Sequence, residues 1–227
     1  KDADVAVTVS DTIANATAAN VTDLNALLAA TNGPVTVTID GNAAELASLT
    51  ATASDTGTST LTITVDDAST AARGAAIADA TDAATVDFSA AGVNDTFANL
   101  VAAGTGAVST NMGKIDAKDA NVAVTVSDTI GNATAANVTD FNALLAATTG
   151  TVTATIDGNY AQLASITATA SDTGTSTLAI TVDDAVTAAQ GNTAIGLTDG
   201  TVAYAGGVND TFANLVAAGT GAVSTNM

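Results

Sequence analysis

The chain has 227 residues, and 23 acidic residues against four basic ones give it a formal net charge of −19. Four basic residues cannot neutralise a run of phosphates, so the composition argues against nucleic acid and against anionic membrane surfaces as partners. The sequence contains no Cys and no His, which removes the disulfide scaffold, the thiol nucleophile and the commonest catalytic base. Aromatic residues make up only 3% of the chain, so we expect a core of thin layers built from small side chains.

The chain is an internal duplication. Val5–Ile13 recurs as Val122–Ile130, an offset of 117 residues, and Gly92–Met112 recurs without change as Gly207–Met227, an offset of 115 residues. The copies are residues 1–117 and 118–227, and we expect them to form one continuous array cut from a longer protein. The two residues missing from the second copy predict a surface loop between about 76 and 91, because deletions cost least in loops.

Short alternating runs predict strands in the first copy, and Ala-rich stretches with apolar residues three or four apart predict helices between them. Predicted strands, in chain order, are Val5–Asp11, Val35–Asp40, Leu61–Asp67, Thr85–Ser89 and, more weakly, Ala107–Asn111. Predicted helices are centred on Val21–Leu28, on a short turn at Ala44–Leu49 and on Val93–Val101. Asn15–Thr17 and Asn94–Thr96 predict helix N-caps.

This alternation predicts an α/β fold in which parallel strands are stacked and helices cover one side. The spacing of roughly 20–29 residues is typical of a strand–helix solenoid with about five coils per 117-residue unit. The alternative is a pair of tandem all-β Ig-like sandwiches, against which the Ala-rich helical stretches and the single Pro argue.

Two stretches carry a resemblance to a family. Val9–Ala51 and Thr85–Gly104 combine short Thr/Val strands, an SDT or DG turn and a helix of the type LNALLAAT. They resemble repeats of giant exported surface proteins of marine cyanobacteria and other Gram-negative bacteria, which carry haemolysin-type or calcium-binding descriptions. The resemblance implies an extracellular or cell-surface location. The calcium nonapeptide of that family, G-G-x-G-x-D-x-U-x, is absent from this sequence.

Strand ends in the sequence are rich in Asp, which outnumbers Glu 22 to one. Stacked coils would place these carboxylates in a column, where Ca²⁺ could bind with turn carbonyls as further ligands. The alternative is that they cap helices or close Asx turns. The candidate Ca²⁺ ligands are Asp11, Asp40, Asp66, Asp67, Asp128, Asp157, Asp183 and Asp184.

No catalytic constellation is expected. The nearest approach to a paired-carboxylate hydrolase is Asp66–Asp67 with its copy Asp183–Asp184, but adjacent side chains at a strand end diverge. We therefore expect a non-enzymatic structural protein: a segment of a cell-surface layer, an adhesin stalk or a matrix filament that associates with itself end to end or laterally.

The alternative function is a binding module, either for calcium-dependent adhesion or for ice or a surface glycan. Outward-facing Thr residues on successive strands are the feature that would suit ice, although Thr is also an ordinary solvent-face strand residue. Asn-x-Thr sequons could carry glycans or simply serve as caps. They lie at Asn15, Asn20, Asn94, Asn132, Asn137 and Asn209.

Overall fold

A computed structural model describes residues 4–50, 59–83, 85–88, 92–167, 176–220 and 222–225. The chain forms two compact units. Unit 1 comprises Lys1–Asp95 and Ser109–Val124, and unit 2 comprises Thr96–Val108 and Thr125–Met227.

Strands and helices alternate through both copies. The elements of the first copy are β1 (Val7–Ala16), α1 (Ala18–Ala30), β2 (Val35–Gly41), α2 (Ala43–Leu46), β3 (Thr60–Val65), α3 (Ala71–Asp79), β4 (Val93–Asp95), α4 (Phe97–Leu100), β5 (Val101–Ala102), β6 (Ala107–Val108) and α5 (Thr110–Asp116). Those of the second copy are β7 (Val124–Ile130), α6 (Ala135–Ala147), β8 (Val152–Gly158), α7 (Tyr160–Leu163), β9 (Thr177–Val182), α8 (Ala188–Ile195), β10 (Val202–Tyr204), α9 (Phe212–Leu215), β11 (Val216–Ala217) and β12 (Ala222–Val223).

The principal sheets are parallel. In unit 1, β1 pairs with β2 and β2 with β3, and Thr36 lies opposite Thr60. In unit 2, β8 pairs with β9 in the same register, with Thr153 opposite Thr177, and β9 pairs with β10. The predicted α/β class with parallel strands and intervening helices is confirmed, and the all-β sandwich alternative is wrong.

The strand pattern explains the core. Val35, Val37 and Ile39 are at most 1% exposed, whereas Thr36 and Thr38 between them face solvent. This alternation follows from the two-residue period of a strand, and it places β-branched residues on the packed side.

Helix α1 begins where the sequence predicts a cap. Thr17 accepts a hydrogen bond from the Asn20 N–H, and the Asn20 side chain accepts one from the Thr17 N–H. This capping box satisfies two amide donors that the helix itself cannot. Val21, Leu24 and Leu28 are buried on one face, so the helix predicted there is confirmed.

Two predicted elements near Gly104 differ from the structure. The predicted helix Val93–Val101 is instead β4, the single turn α4 and β5. The predicted strand Ala107–Asn111 shrinks to β6, which pairs antiparallel with β5 before α5 begins at Thr110. The physical cause is the pair Gly104 and Gly106, whose φ values of +73° and +67° reverse the chain between β5 and β6.

In the segment predicted as a surface loop, about 76–91, residues 84 and 89–91 lie outside the described residues, and α3 extends to Asp79. The predicted strand Thr85–Ser89 is present only as an isolated parallel bridge between Asp87 and Thr64, and Ser89 lies outside the described residues. Val86 and Phe88 are 2% and 1% exposed, so this stretch contributes to the core.

Threonine hydroxyls join neighbouring strand–helix segments, here called coils, at the beginnings of the strands. The Thr81 hydroxyl accepts from the Leu61 N–H at 3.0 Å and donates to the Leu61 carbonyl at 2.8 Å. Thr198 makes the same two bonds to Leu178 in the second copy. A hydroxyl can both donate and accept, so one small side chain satisfies both backbone groups of a residue one coil away.

Replacing Thr81 by the isosteric Val should therefore destabilise the protein by about 1–3 kcal/mol, because Leu61 would lose a buried partner for both its N–H and its carbonyl. Thr60→Val on the exposed side of β3 is the matched control and should change the free energy of unfolding by less than about 0.5 kcal/mol. Urea unfolding of the two variants measures the difference. Equal stabilities would show that the hydroxyl does not join the coils.

Candidate functional site: the aspartate caps between coils

The most regular polar feature of the molecule joins the start of one helix to an Asp of the following coil. The first N–H of a helix has no acceptor inside the helix. In unit 1 the Ala43 N–H donates to Asp67 Oδ1 at 2.6 Å, and the Ala71 N–H donates to Asp95 Oδ2 at 3.0 Å.

Unit 2 repeats the arrangement. The first N–H groups of α4, α7 and α8 each donate to one carboxylate: Phe97 to Asp128 at 2.7 Å, Tyr160 to Asp184 at 2.7 Å and Ala188 to Asp210 at 3.0 Å. We call Asp67, Asp95, Asp128, Asp184 and Asp210 the aspartate caps.

Parallel strand register places these carboxylates. Gly41 at the end of β2 lies opposite Val65 at the end of β3, and Gly158 lies opposite Val182 in the second copy. Two residues further along each chain, Ala43 meets Asp67 and Tyr160 meets Asp184. The negative charge also faces the positive end of the helix, which adds to the hydrogen bond.

In the adjacent pairs Asp66–Asp67 and Asp183–Asp184, the two residues make different hydrogen bonds. Asp67 and Asp184 bind helix starts through their side chains, as described above. Asp66 and Asp183 instead donate their backbone N–H groups, each at 3.0 Å, to the carbonyls of Gly41 and Gly158. The carboxylates of Asp66 and Asp183 are exposed. The helix that Asp67 or Asp184 caps precedes that Asp in the chain.

The other candidate Ca²⁺ ligands lie in different surroundings. Asp40 Oδ2 accepts from the Asn15 N–H at 3.0 Å, where Asn15 has a positive φ of 49°. In the described structure, Asp157 Oδ1 is buried without a hydrogen-bond partner. Asp11 is exposed inside β1, between the paired residues Thr8 and Thr12, where the register with β2 shifts. The prediction that Asp11 and Asp128 end strands is wrong, because β1 and β7 continue past them.

The capping hydrogen bonds affect acidity at Asp210. The Asn214 side chain, followed by the backbone N–H groups of Thr211 and Ala188, holds the pKa of Asp210 below its ordinary value. A lowered pKa means that this stabilisation is present at neutral pH and is lost as the pH falls through the folded-state pKa. Acid should therefore loosen this cap.

The sequence did not predict the polar contacts of Asp140, Asn25 and Asn142. Asp140 in α6 is 2% exposed, and its two oxygens accept from the Gly104 and Gly106 N–H groups at 2.6 and 2.8 Å. Asn25 donates to the Ser48 carbonyl and accepts from the Thr50 N–H, both at 2.8 Å. Asn142 repeats this with Ser165 and Thr167. The available signal in the sequence was that Asp140 and Asn142 are the same residue types as their counterparts Asp23 and Asn25 in the first copy.

Among the described residues, no group of three or more His, Cys, Asp or Glu side chains lies close enough to hold a metal ion. Calcium binding by the eight candidate residues stays a prediction. No helix formed by the described residues has the length and hydropathy of a membrane span.

Comparisons with known proteins give no relative: the chain matches no family model, no curated protein and no solved structure.

Removing the cap at Asp67 should lower the free energy of unfolding by about 1 kcal/mol, because the first N–H of α2 loses its acceptor. Asp66→Ala changes the neighbouring carboxylate, removes the same charge and leaves the backbone bond to Gly41 in place, so it should have less than half of that effect. Thermal melts of Asp67→Ala and Asp66→Ala measure the difference. The pair Asp184→Ala and Asp183→Ala should repeat it in the second copy.

The same melts in EDTA and in added Ca²⁺ separate a cap from a metal ligand. A cap predicts melting temperatures that differ between variants but respond alike to EDTA and Ca²⁺. A wild-type melting temperature that rises with Ca²⁺, together with loss of that rise in both variants, would contradict the capping account, because a ligand specific to the native state must stabilise it.

Proposed function

We propose that this chain is a structural segment of an extracellular repeat protein, in which stacked strand–helix coils form part of a cell-surface layer, an adhesin stalk or a matrix filament. In this proposal each copy of the 117-residue sequence repeat is a solenoid of about five coils. Its work is mechanical: to hold a fixed spacing and to present a regular acidic surface.

The observation that carries the proposal is that polar side chains bind backbone groups of neighbouring coils at equivalent positions in both copies. Asp67, Thr81 and Asn25 each bind backbone groups of a neighbouring coil, and Asp184, Thr198 and Asn142 repeat these bonds in the second copy. A binding or catalytic centre requires different side chains to converge at one place. Here equivalent groups recur along the chain and are occupied by the backbone, which suits a protein selected for stacking.

Composition supports an extracellular setting. A net charge of −19 keeps the chain soluble and opposes non-specific aggregation. The sequence resemblance to exported surface repeats points to the same location. Cations are the counterions that such a surface attracts, so ionic strength should govern how closely copies approach.

Self-association of the intact chain tests the proposal. Negative-stain electron microscopy and sedimentation velocity over a range of protein concentrations, in buffers of low and of physiological ionic strength, should show multimers that lengthen with concentration. Ionic strength should favour them by screening the repulsion between acidic copies. Strict monomers under every condition would contradict a function in a self-assembling layer or filament.

A further inference from the structure

One sequence occurs in two surroundings in this protein. The stretch Gly92–Met112 is identical to Gly207–Met227. Phe97 in the first stretch is 8% exposed, whereas its counterpart Phe212 is 77% exposed. Because the local sequence is the same, the difference comes from what lies against each stretch.

The residues that cover Phe97 and the turn after it belong to β7 and α6; they are Asp128, Asp140 and Phe141, all in unit 2. The Phe141 ring packs against Phe97 with ring centroids 6.3 Å apart and an interplanar angle of 52°. Asp128 accepts from the Phe97 N–H, and Asp140 accepts from Gly104 and Gly106. The ring contact and the hydrogen bonds to Asp128 and Asp140 together fix the position of α4, β5 and β6 on β7 and α6.

The second stretch presents the same features without this cover. A groove of about 550 Å³ is bordered by Phe212, Val216, Ala217 and Val223, and Val223 is 66% exposed. We call this surface the C-terminal face. In the described part of the chain, no carboxylate accepts from the Phe212 N–H.

The covering residues also have counterparts, in the first coil of the chain. Asp11 corresponds to Asp128 and Asp23 to Asp140. Asp23 is exposed, whereas Asp140 is 2% exposed. Leu27 is likewise partly exposed where its counterpart Leu144 is fully buried. We call this surface of β1 and α1 the N-terminal face.

We propose that the C-terminal face of one molecule binds the N-terminal face of a second copy of this chain, reproducing the packing of α4, β5 and β6 on β7 and α6. Asp11 would accept from the Phe212 N–H and Asp23 from the Gly219 N–H, and the partly exposed Leu27 would be covered as Leu144 is in the second copy. This inference rests on the proposed structural function and names its interface.

The two faces differ from one another, so the contact is head to tail. Such a contact leaves one face of each kind available on every assembly, which permits further addition until a ring closes. A two-fold dimer, by contrast, would use one face twice and stop. Screening by salt should strengthen the contact, because both partners carry a net charge of −19.

Sedimentation velocity of the full chain and its variants tests this interface. Phe212→Asp places a charge in the apolar groove, and it should hold the protein as monomers at concentrations where the wild type forms multimers. Ile195→Asp is the matched control, because Ile195 is also an exposed apolar residue, at 54%, but lies in α8 outside the groove. This control should assemble like the wild type.

The opposite face is tested by Asp23→Lys, with Asp199→Lys as a control of equal charge at another exposed position. Asp23→Lys alone should be monomeric, because its N-terminal face is blocked. Mixed with Phe212→Asp, which retains an intact N-terminal face, it should form a one-to-one dimer and nothing larger. Asp199→Lys should assemble like the wild type.

The outcomes separate this interface from the function on which it rests. Wild-type monomers at every concentration would overturn both. Wild-type multimers that Phe212→Asp and Asp23→Lys leave intact would overturn the interface alone and favour lateral association. Two blocked variants that fail to pair when mixed would overturn the head-to-tail geometry.

Discussion

Short helices place a demanding constraint on this protein, because the first N–H groups and the last carbonyls of any helix lack partners inside it. Helices α2, α4, α7 and α9 have four residues each, and the first N–H of α2, α4 and α7 donates to an Asp carboxylate. Phe97, the first residue of α4, obtains its acceptor from Asp128. The carboxylate that completes a helix therefore comes from another coil, and neither coil is complete alone.

This dependence explains why Asp rather than the longer Glu occupies the five cap positions. The carboxylate of Asp67 reaches the start of α2 from a turn immediately after β3, over a gap that its short side chain spans. Hydroxyls such as that of Thr81 perform the same task at the other end of the strands. Small core residues bring successive coils close enough for these short side chains to reach, so composition, packing and hydrogen bonding are consistent with one another.

Much of the fold was predictable, because β-branched alternation and the capping residue Thr17 are local signals. The helix α3 was missed: Ala71–Asp79 contains Gly74, and its burial depends on packing against Ile115, which is distant in sequence. The reversal at Gly104 was missed because a positive φ is not visible in an apolar pattern. At the candidate site, the sequence located Asp67 at a strand end but could not reveal its partner, since register between coils is a tertiary property.

Amide hydrogen exchange at two phenylalanines tests the central claim that a carboxylate from a neighbouring coil completes a short helix such as α4. Phe97 and Phe212 lie in the same 21-residue sequence, Gly92–Met112 and Gly207–Met227, and differ in the presence of a covering carboxylate. In monomeric protein the account predicts slow exchange for the Phe97 amide and fast exchange for the Phe212 amide. Equal exchange rates at the two positions would contradict it.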